Sequence, residues 1–283
     1  MNITSINFEI GKKGSEGDIT FFYHSKELVF IKPKESIKSL LASLAISQYV
    51  VMRLNRNMIN KQFGELILIL NSIKKDGCFI LEDVSKEELQ NYIKGTYLEN
   101  YKIFKDSKEL IDFLLQYRNN LNKEMDSLLV PIDQYFEVKG VGLVLLGTVL
   151  KGKVEVYKKY KIQPLNKEIL IKSIQVHDEN VKEAIPYYRV GLAVKGVERK
   201  ELYRGVVVGD VKKVKEIEGE LIKNPFYKES IPKKIMAAIG LQYVSCTLEN
   251  NKLMFDKEVA LYGSVLLVNP NGKVKFIGKF TYK

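Results

Sequence analysis

Tryptophan is absent from the 283 residues, and cysteine and histidine occur only twice each. Cys78 and Cys246 are far apart and each sits in an apolar run without a CxxC partner. They read as small buried hydrophobes rather than a disulfide or a metal pair. Two histidines and two such cysteines do not assemble a transition-metal site, so neither a metal nor a cofactor is expected. Long apolar runs are also missing. The longest candidate, residues 40–52, is interrupted by Ser43, Ser47 and Gln48 and falls short of the about 18 residues a membrane span needs. Met1-Asn2-Ile3-Thr4 lacks the charged and apolar regions of a secretory signal. These absences predict a reduced, cytoplasmic chain with no membrane partner.

What is abundant is lysine. Lys+Arg total 45 against 34 Asp+Glu, a formal charge of +11. That balance suits anionic partners, nucleic acid first, because each neutralised phosphate releases counterions. It equally suits a lysine-rich surface with no specific partner. A hydrophobic share of 46% supplies real cores, and the length exceeds the about 100–200 residues of a usual single domain.

Residues 1–122 alternate strand and helix patterns. Residues 6–10 alternate like a strand, and residues 11–18 read as a polar, glycine-rich loop. Residues 19–23 and 28–31 read as short strands. Ile37, Leu40, Leu41, Leu44 and Ala45 recur at helical spacing, and residues 49–52 look like a buried parallel strand. Residues 63–70 suit helix or strand. Residues 78–81 suggest another buried strand. Ser85 with Glu88 forms a capping-box start, and residues 106–118 form a second amphipathic helix. Such alternation predicts an open, mostly parallel α/β sheet. After residue 122 short β-branched runs and glycines take over, as in barrels. Two β-domains are expected, residues 126–210 and 211–283, the second with an Asn271-Gly272 hairpin turn.

The first β-domain carries motifs in a fixed order. Leu129-Val130-Pro131-Ile132-Asp133 opens it, and Lys139-Gly140-Val141-Gly142-Leu143 leads on to Gly147. Ser173-Ile174-Gln175-Val176-His177 follows. Val190-Gly191-Leu192-Ala193-Val194 and Lys195-Gly196-Val197-Glu198-Arg199 close the set before Gly205. Over roughly eighty residues this set resembles domain II of the elongation factor Tu family, and the Ser-Ile-Gln run resembles the selenocysteine-specific elongation factor. The resemblance implies a degenerate P-loop GTPase-like α/β domain followed by two β-barrels. It also implies a rim for the aminoacylated end of tRNA, with Val141, Gly142, Leu143, Gln175, His177, Lys195 and Arg199 as candidate RNA contacts. Gln175 stands where elongation factor Tu has a glutamate, and an amide can still accept and donate at a base edge. The segment Ile185-Pro186-Tyr187-Tyr188 departs from the family's small turn.

The same resemblance requires a GTPase site ahead of the barrel, and three of its motifs fail to appear. A phosphate loop needs G-x-x-x-x-G-K-[ST], where this chain has Gly11-Lys12-Lys13-Gly14-Ser15-Glu16-Gly17-Asp18. The Asp-x-Pro-Gly element becomes Lys32-Pro33-Lys34-Glu35, and a charged lysine opposes Mg²⁺ rather than ligating it. Glu82-Asp83-Val84-Ser85 replaces the guanine-reading Asn-Lys-x-Asp. Gly11, Lys12, Lys13, Gly14, Lys32, Pro33 and Lys34 therefore mark a degenerate, inactive nucleotide site. No catalytic residue is assigned, and no enzyme activity is expected. Lys12, Lys13, Lys32 and Lys34 read either as a remnant phosphate patch or as four solvated side chains.

Residues 211–283 hold 13 lysines against 7 acidic residues. Their loop Asn224-Pro225-Phe226-Tyr227-Lys228, followed by Ile231-Pro232-Lys233-Lys234, combines bases and aromatics. The expected function is that of an elongation factor-like protein holding tRNA or ribosomal RNA through its barrels. The alternative is a scaffold that partners another translation factor through its G-like domain. An enzyme with new chemistry ranks last, because no nucleophile–base pair or carboxylate dyad stands in a defined motif.

Overall fold

The computed structural model describes residues 1–282. Its contacts divide the chain into two compact units. The first holds Met1–Leu121, Glu220–Met236 and the stretch from Ser264 onward; the second holds Asn122–Gly219 and Ala237–Gly263.

The α/β part begins with β1 (Asn2–Ile6), β2 (Lys12–Glu16), β3 (Ile19–Tyr23) and β4 (Val29–Pro33). It continues with α1 (Ile37–Ile46), β5 (Tyr49–Leu54), α2 (Lys61–Ile73), β6 (Gly77–Leu81), α3 (Lys86–Ile93), β7 (Lys102–Phe104) and α4 (Ser107–Asn119). The sheet order is β2-β3-β4-β1-β5-β6-β7. Strand β1 is central and runs parallel to both β4 and β5. β6 and β7 extend the parallel side, and β2 and β3 turn antiparallel at the other edge. Each helix starts on a side chain that accepts an otherwise orphaned N–H. Ser36 accepts from Ser39, Asn60 from Gln62 and Phe63, Ser85 from Glu88, and Asp106 from Lys108 and Glu109. Residues 63–70 resolve as helix, with Phe63, Leu66, Ile67, Ile69 and Leu70 buried along one face of α2. Ile3, Phe30, Val51, Cys78, Leu110 and Leu114 meet in a core between the sheet and α4.

Two expectations for this part are corrected. The first strand covers residues 2–6 rather than 6–10, and residues 12–16 form the edge strand β2 rather than a loop. Polar side chains disguised β1. Asn2, Thr4 and Ser5 are fully buried, and Thr4 Oγ1 shares a 2.8 Å hydrogen bond with Ser47 Oγ. Strand β2 is disguised by the lysines and glycine that suit an exposed sheet edge.

The first barrel is built from β8 (Leu129–Val138), β9 (Gly142–Thr148), β10 (Val154–Glu155), β11 (Lys159–Gln163), β12 (Lys167–Val176), β13 (Glu179–Val181), β14 (Glu183–Ala184), β15 (Arg189–Lys195) and β16 (Val207–Gly209). Six strands run β11-β16-β8-β9-β15-β12, and the β11–β12 pairing closes the ring, with β13 attached to β12. Ile132, Leu145, Ile162, Ile171, Ile174 and Leu192 fill its interior. Gly147 of β9 stands opposite Ile132 of β8. A Cβ there would stand 2.6 Å from Pro131 O, so the motif glycine is a packing requirement.

The second barrel comprises β17 (Lys212–Lys223), β18 (Ile235–Ile239), β19 (Gln242–Glu249), β20 (Lys252–Leu261), β21 (Val265–Val268) and β22 (Phe276–Tyr282). It closes in the order β17-β20-β19-β18-β21-β22. The α/β part and the second barrel meet within the first unit. There the Glu65 carboxylate on α2 accepts the backbone N–H of Phe276 at 2.7 Å and that of Lys275.

Candidate functional site

Ligands of open α/β sheets gather at the carboxyl ends of the strands, near the point where strand order reverses. Here that edge follows β1, β5 and β6, and charged side chains that satisfy one another occupy it. Lys32 is ion-paired with Glu9. Arg53 lies 3.7 Å from Glu82 and 5.0 Å over the Phe8 ring. Asn55 donates to Glu82 at 3.2 Å. The Arg56 side chain reaches the Asp83 carbonyl at 3.0 Å and Glu88 at 3.2 Å, while its N–H donates to the Asp83 carboxylate at 2.8 Å. No helix follows β1. The chain turns through residues 7–11 into the β2–β3 hairpin, so no helix N-terminus offers its N–H groups to a phosphate there.

The sequence-chosen residues Gly11, Lys12, Lys13 and Gly14 therefore lie at and along an edge strand. A Cβ on Gly11 would meet the Tyr23 carbonyl at 2.5 Å, and one on Gly14 would meet the Tyr23 ring. Both glycines serve the close hairpin. Lys12 and Lys13 stand opposite Tyr23 and Phe22. Lys13 pairs with Glu16 at 2.7 Å, and this ammonium holds the Glu16 carboxyl below the usual range. Lys32 sits opposite Thr20, with β3 between it and β2, and Pro33 stands opposite Ile19. Lys34 is exposed, and its backbone N–H closes on Asp18 O at 2.9 Å.

On the first barrel the seven candidate RNA contacts fall into two groups. Leu143 and Arg199 line one open groove of about 730 Å³, together with Tyr135, Glu137, Val197, Glu198, Lys200 and Leu202. The Tyr135 hydroxyl donates to Leu202 O at 2.8 Å and fixes one wall. Val141 and Gly142 belong to the hairpin leading into Leu143, and Lys172 Nζ donates to Val141 O at 2.7 Å. Lys195 ends β15, opposite Leu170 and just before the groove segment. Gln175 and His177 are not part of that lining. Gln175 is exposed on β12, opposite Gly191 and Asn180, and donates to Asn180 Oδ1 at 3.2 Å. His177 and Asp178 form the β12–β13 turn, with φ of 50° and 63°.

Sequence reading missed the Asp133–Arg189 pair, although Asp133 lies inside a recognised motif. The guanidinium grips the carboxylate through two bonds of 2.7 and 2.9 Å, and both side chains are buried. The departing segment packs inward. Tyr188 lies against the barrel core and the Tyr187 hydroxyl donates to Asn122 O at 2.5 Å. Among the described residues no group of three or more His, Cys, Asp or Glu is placed to hold a metal, and no helix is long and apolar enough to cross a membrane.

No protein-family model matches the chain. An uncharacterized Methanocaldococcus jannaschii protein, MJ0325, is 31% identical over 98% of this chain and 96% of its own length. The selenocysteine-specific elongation factor of the same organism is 31% identical over 70% of this chain, which spans about half, 48%, of that factor. The translation elongation factor SelB of Methanococcus maripaludis, in its apo form, has the same fold. It superposes with a TM-score of 0.77 at 20% identity, covering all of this chain and 80% of that one. With an α/β domain followed by two six-stranded β-barrels, and with these relatives in sequence, the chain belongs to the SelB-like elongation factor family.

Proposed function

We propose that this protein is a cytoplasmic SelB-like factor that has no working GTPase site and holds RNA, an aminoacyl-tRNA or the ribosome, through its β-barrels. Its working parts are a G-like domain of residues 1–122 and barrels of residues 126–210 and 211–283. The observation that carries this reading is the carboxyl edge of the α/β sheet. A hairpin stands where a phosphate loop would lead into a helix, and Lys32 and Lys13 are already paired with Glu9 and Glu16. A nucleotide entering there would have to break those pairs and would find no helix dipole in return. On the barrel, Val141, Gly142, Leu143, Lys195 and Arg199 give one RNA-facing rim around the groove, and Gln175 with His177 gives a second edge.

The test has two arms. Titration of a fluorescent guanine nucleotide with Mg²⁺ is expected to show no saturable binding; micromolar, Mg²⁺-dependent affinity refutes the loss of the GTPase site. Filter binding of bulk tRNA and of ribosomes is expected to show affinity that falls steeply between about 50 and 200 mM salt. No binding of either at low salt refutes the RNA reading and leaves a protein partner as the occupant to seek.

A further inference from the structure

One residue of the second barrel gives the proposed RNA grip a chemical form, and its role rests on that proposed function. The turn after β17 is fastened at several points. Asn224 donates its backbone N–H to Ile277 O at 2.8 Å and its side-chain amide to Phe276 O at 2.9 Å. Its Oδ1 accepts the Phe226 N–H at 3.0 Å. Tyr227 is buried, and its hydroxyl accepts from Asn269 Nδ2 at 3.1 Å. Glu229 accepts the Lys273 N–H at 2.9 Å. Between these anchors the Phe226 ring faces outward, 64% exposed, and Ile222 is 60% exposed. Burying one neighbour and exposing the other requires a backbone held in place, so the outward ring is preorganised rather than loose.

The charges around this ring distinguish it from the other prominent exposed ring. Tyr157 on the first barrel is 79% exposed, but the lysines near it in sequence are neutralised. Lys153 and Lys158 pair with Glu155, Lys159 with Glu168, and Lys161 with Asp210. Among the lysines near Phe226 in sequence the pattern differs. Lys223 lies 5.4 Å over the Tyr227 ring. Lys228 and Lys233 are exposed and make no ion pair among the described residues. The local acid, Glu229, already serves a backbone N–H. A flat apolar ring on an anchored turn, with exposed ammonium groups two and seven residues further along the chain, is an arrangement that suits single strands: bases stack on the ring and phosphates meet the lysines. A duplex keeps its base faces covered, so the matching ligand is an unpaired segment.

We propose that Phe226 is a stacking platform for an unpaired RNA base, with Lys223, Lys228 and Lys233 taking the flanking phosphates. The absence of tryptophan makes the test clean, because Phe226→Trp places a single indole at the platform. The full-length variant is titrated with a short single-stranded oligoadenylate and with a blunt RNA duplex at low salt. The indole emission is expected to be quenched by the single strand in step with binding. Phe226→Ala is expected to bind the single strand about tenfold more weakly, within the range of base–aromatic stacking, with duplex binding unchanged. Lys228→Glu with Lys233→Glu is expected to flatten the slope of log affinity against log salt by about 1.4. Both sites are exposed, and the far-ultraviolet spectrum and urea midpoint of each variant check that the fold is kept. If RNA binds but the indole is unquenched and Phe226→Ala matches the parent protein, the platform is overturned while the broader RNA reading stands. If the parent protein binds no RNA, both fall. An emission change that follows protein concentration without RNA would assign the patch to contact between copies and overturn the proposal.

Discussion

Asp133 and Arg189 form an enclosed ion pair, with side chains only 2% and 5% exposed. Asp133 sits where the β8 register shifts, and Arg189 opens β15. Taking away one partner strands the other charge in a buried part of the barrel wall. Asp133→Leu leaves a buried guanidinium, and Arg189→Met leaves a buried carboxylate. Each is expected to cost about 3–5 kcal/mol. The double variant removes both charges at once, and apolar side chains of similar size usually come close to neutral, so its cost should be about 0–2 kcal/mol. The two effects are therefore strongly non-additive, with a coupling energy of several kcal/mol, roughly the sum of the single losses minus the double. Urea unfolding of the four proteins measures this. A chain of several domains need not unfold in one step, so hydrogen exchange at β8 and β15 assigns the transition to the first barrel. Additive costs, or a single variant costing less than about 1 kcal/mol, would refute the reasoning, since a solvated pair behaves that way.

Lys75 gives a pH test. Burial pushes its ammonium down to about 8, against some help from Asp76, and Nζ donates to Ser47 O at 2.6 Å. The unfolded chain holds this proton up to its ordinary lysine value while the folded chain releases it from about pH 8. Stability from this group should therefore rise between those two values, and Lys75→Met should flatten that slope in urea midpoints taken across the window. Cys78 and Cys246 are both buried, and burial pushes the Cys78 thiol up; a thiol reagent should label neither in the native protein and both in denaturant. His177 and Asp178 hold two consecutive left-handed conformations that Asn-Gly adopts at less cost. His177→Asn with Asp178→Gly should raise stability by about 0.5–1 kcal/mol in thermal unfolding while leaving the β12–β13 pairing intact.

The barrels were the legible part of the sequence because their signals are backbone signals. Gly147 stands where Pro131 O leaves no room for a Cβ, a requirement set by the backbone. The α/β part was harder to read at its first strands. Strand β1 has both faces buried but carries Asn2, Thr4 and Ser5, so it lacks an apolar run, and the false alternation at Phe8 and Ile10 drew the strand forward. Composition does not separate β2 from a loop, since Lys12, Lys13, Gly14 and Glu16 suit either. Only its pairing with β3 makes it a strand. The candidate rim was legible as a set of residues but not as a place. Nothing in residue order says that Leu143 and Arg199 share a groove while Gln175 lies outside its lining. The enclosed Asp133–Arg189 pair joins residues 56 positions apart, and no local spacing marks it.

The grip of Glu65 on Lys275 and Phe276 falls on main-chain N–H groups and ignores the side chains that carry them. Every amino acid but proline offers the same donor, so the Lys275 side of the joint is free to drift in sequence. The tolerance is one-sided: at position 65 a side chain two carbons long ending in an acceptor oxygen is needed, so glutamine is the nearest substitute and aspartate falls a methylene short. A saturation scan of the two positions should thus look lopsided, nearly silent at Lys275 save for proline and narrow at Glu65. Among relatives, the joint would be traced through the acid on the helix and not through the strand it holds.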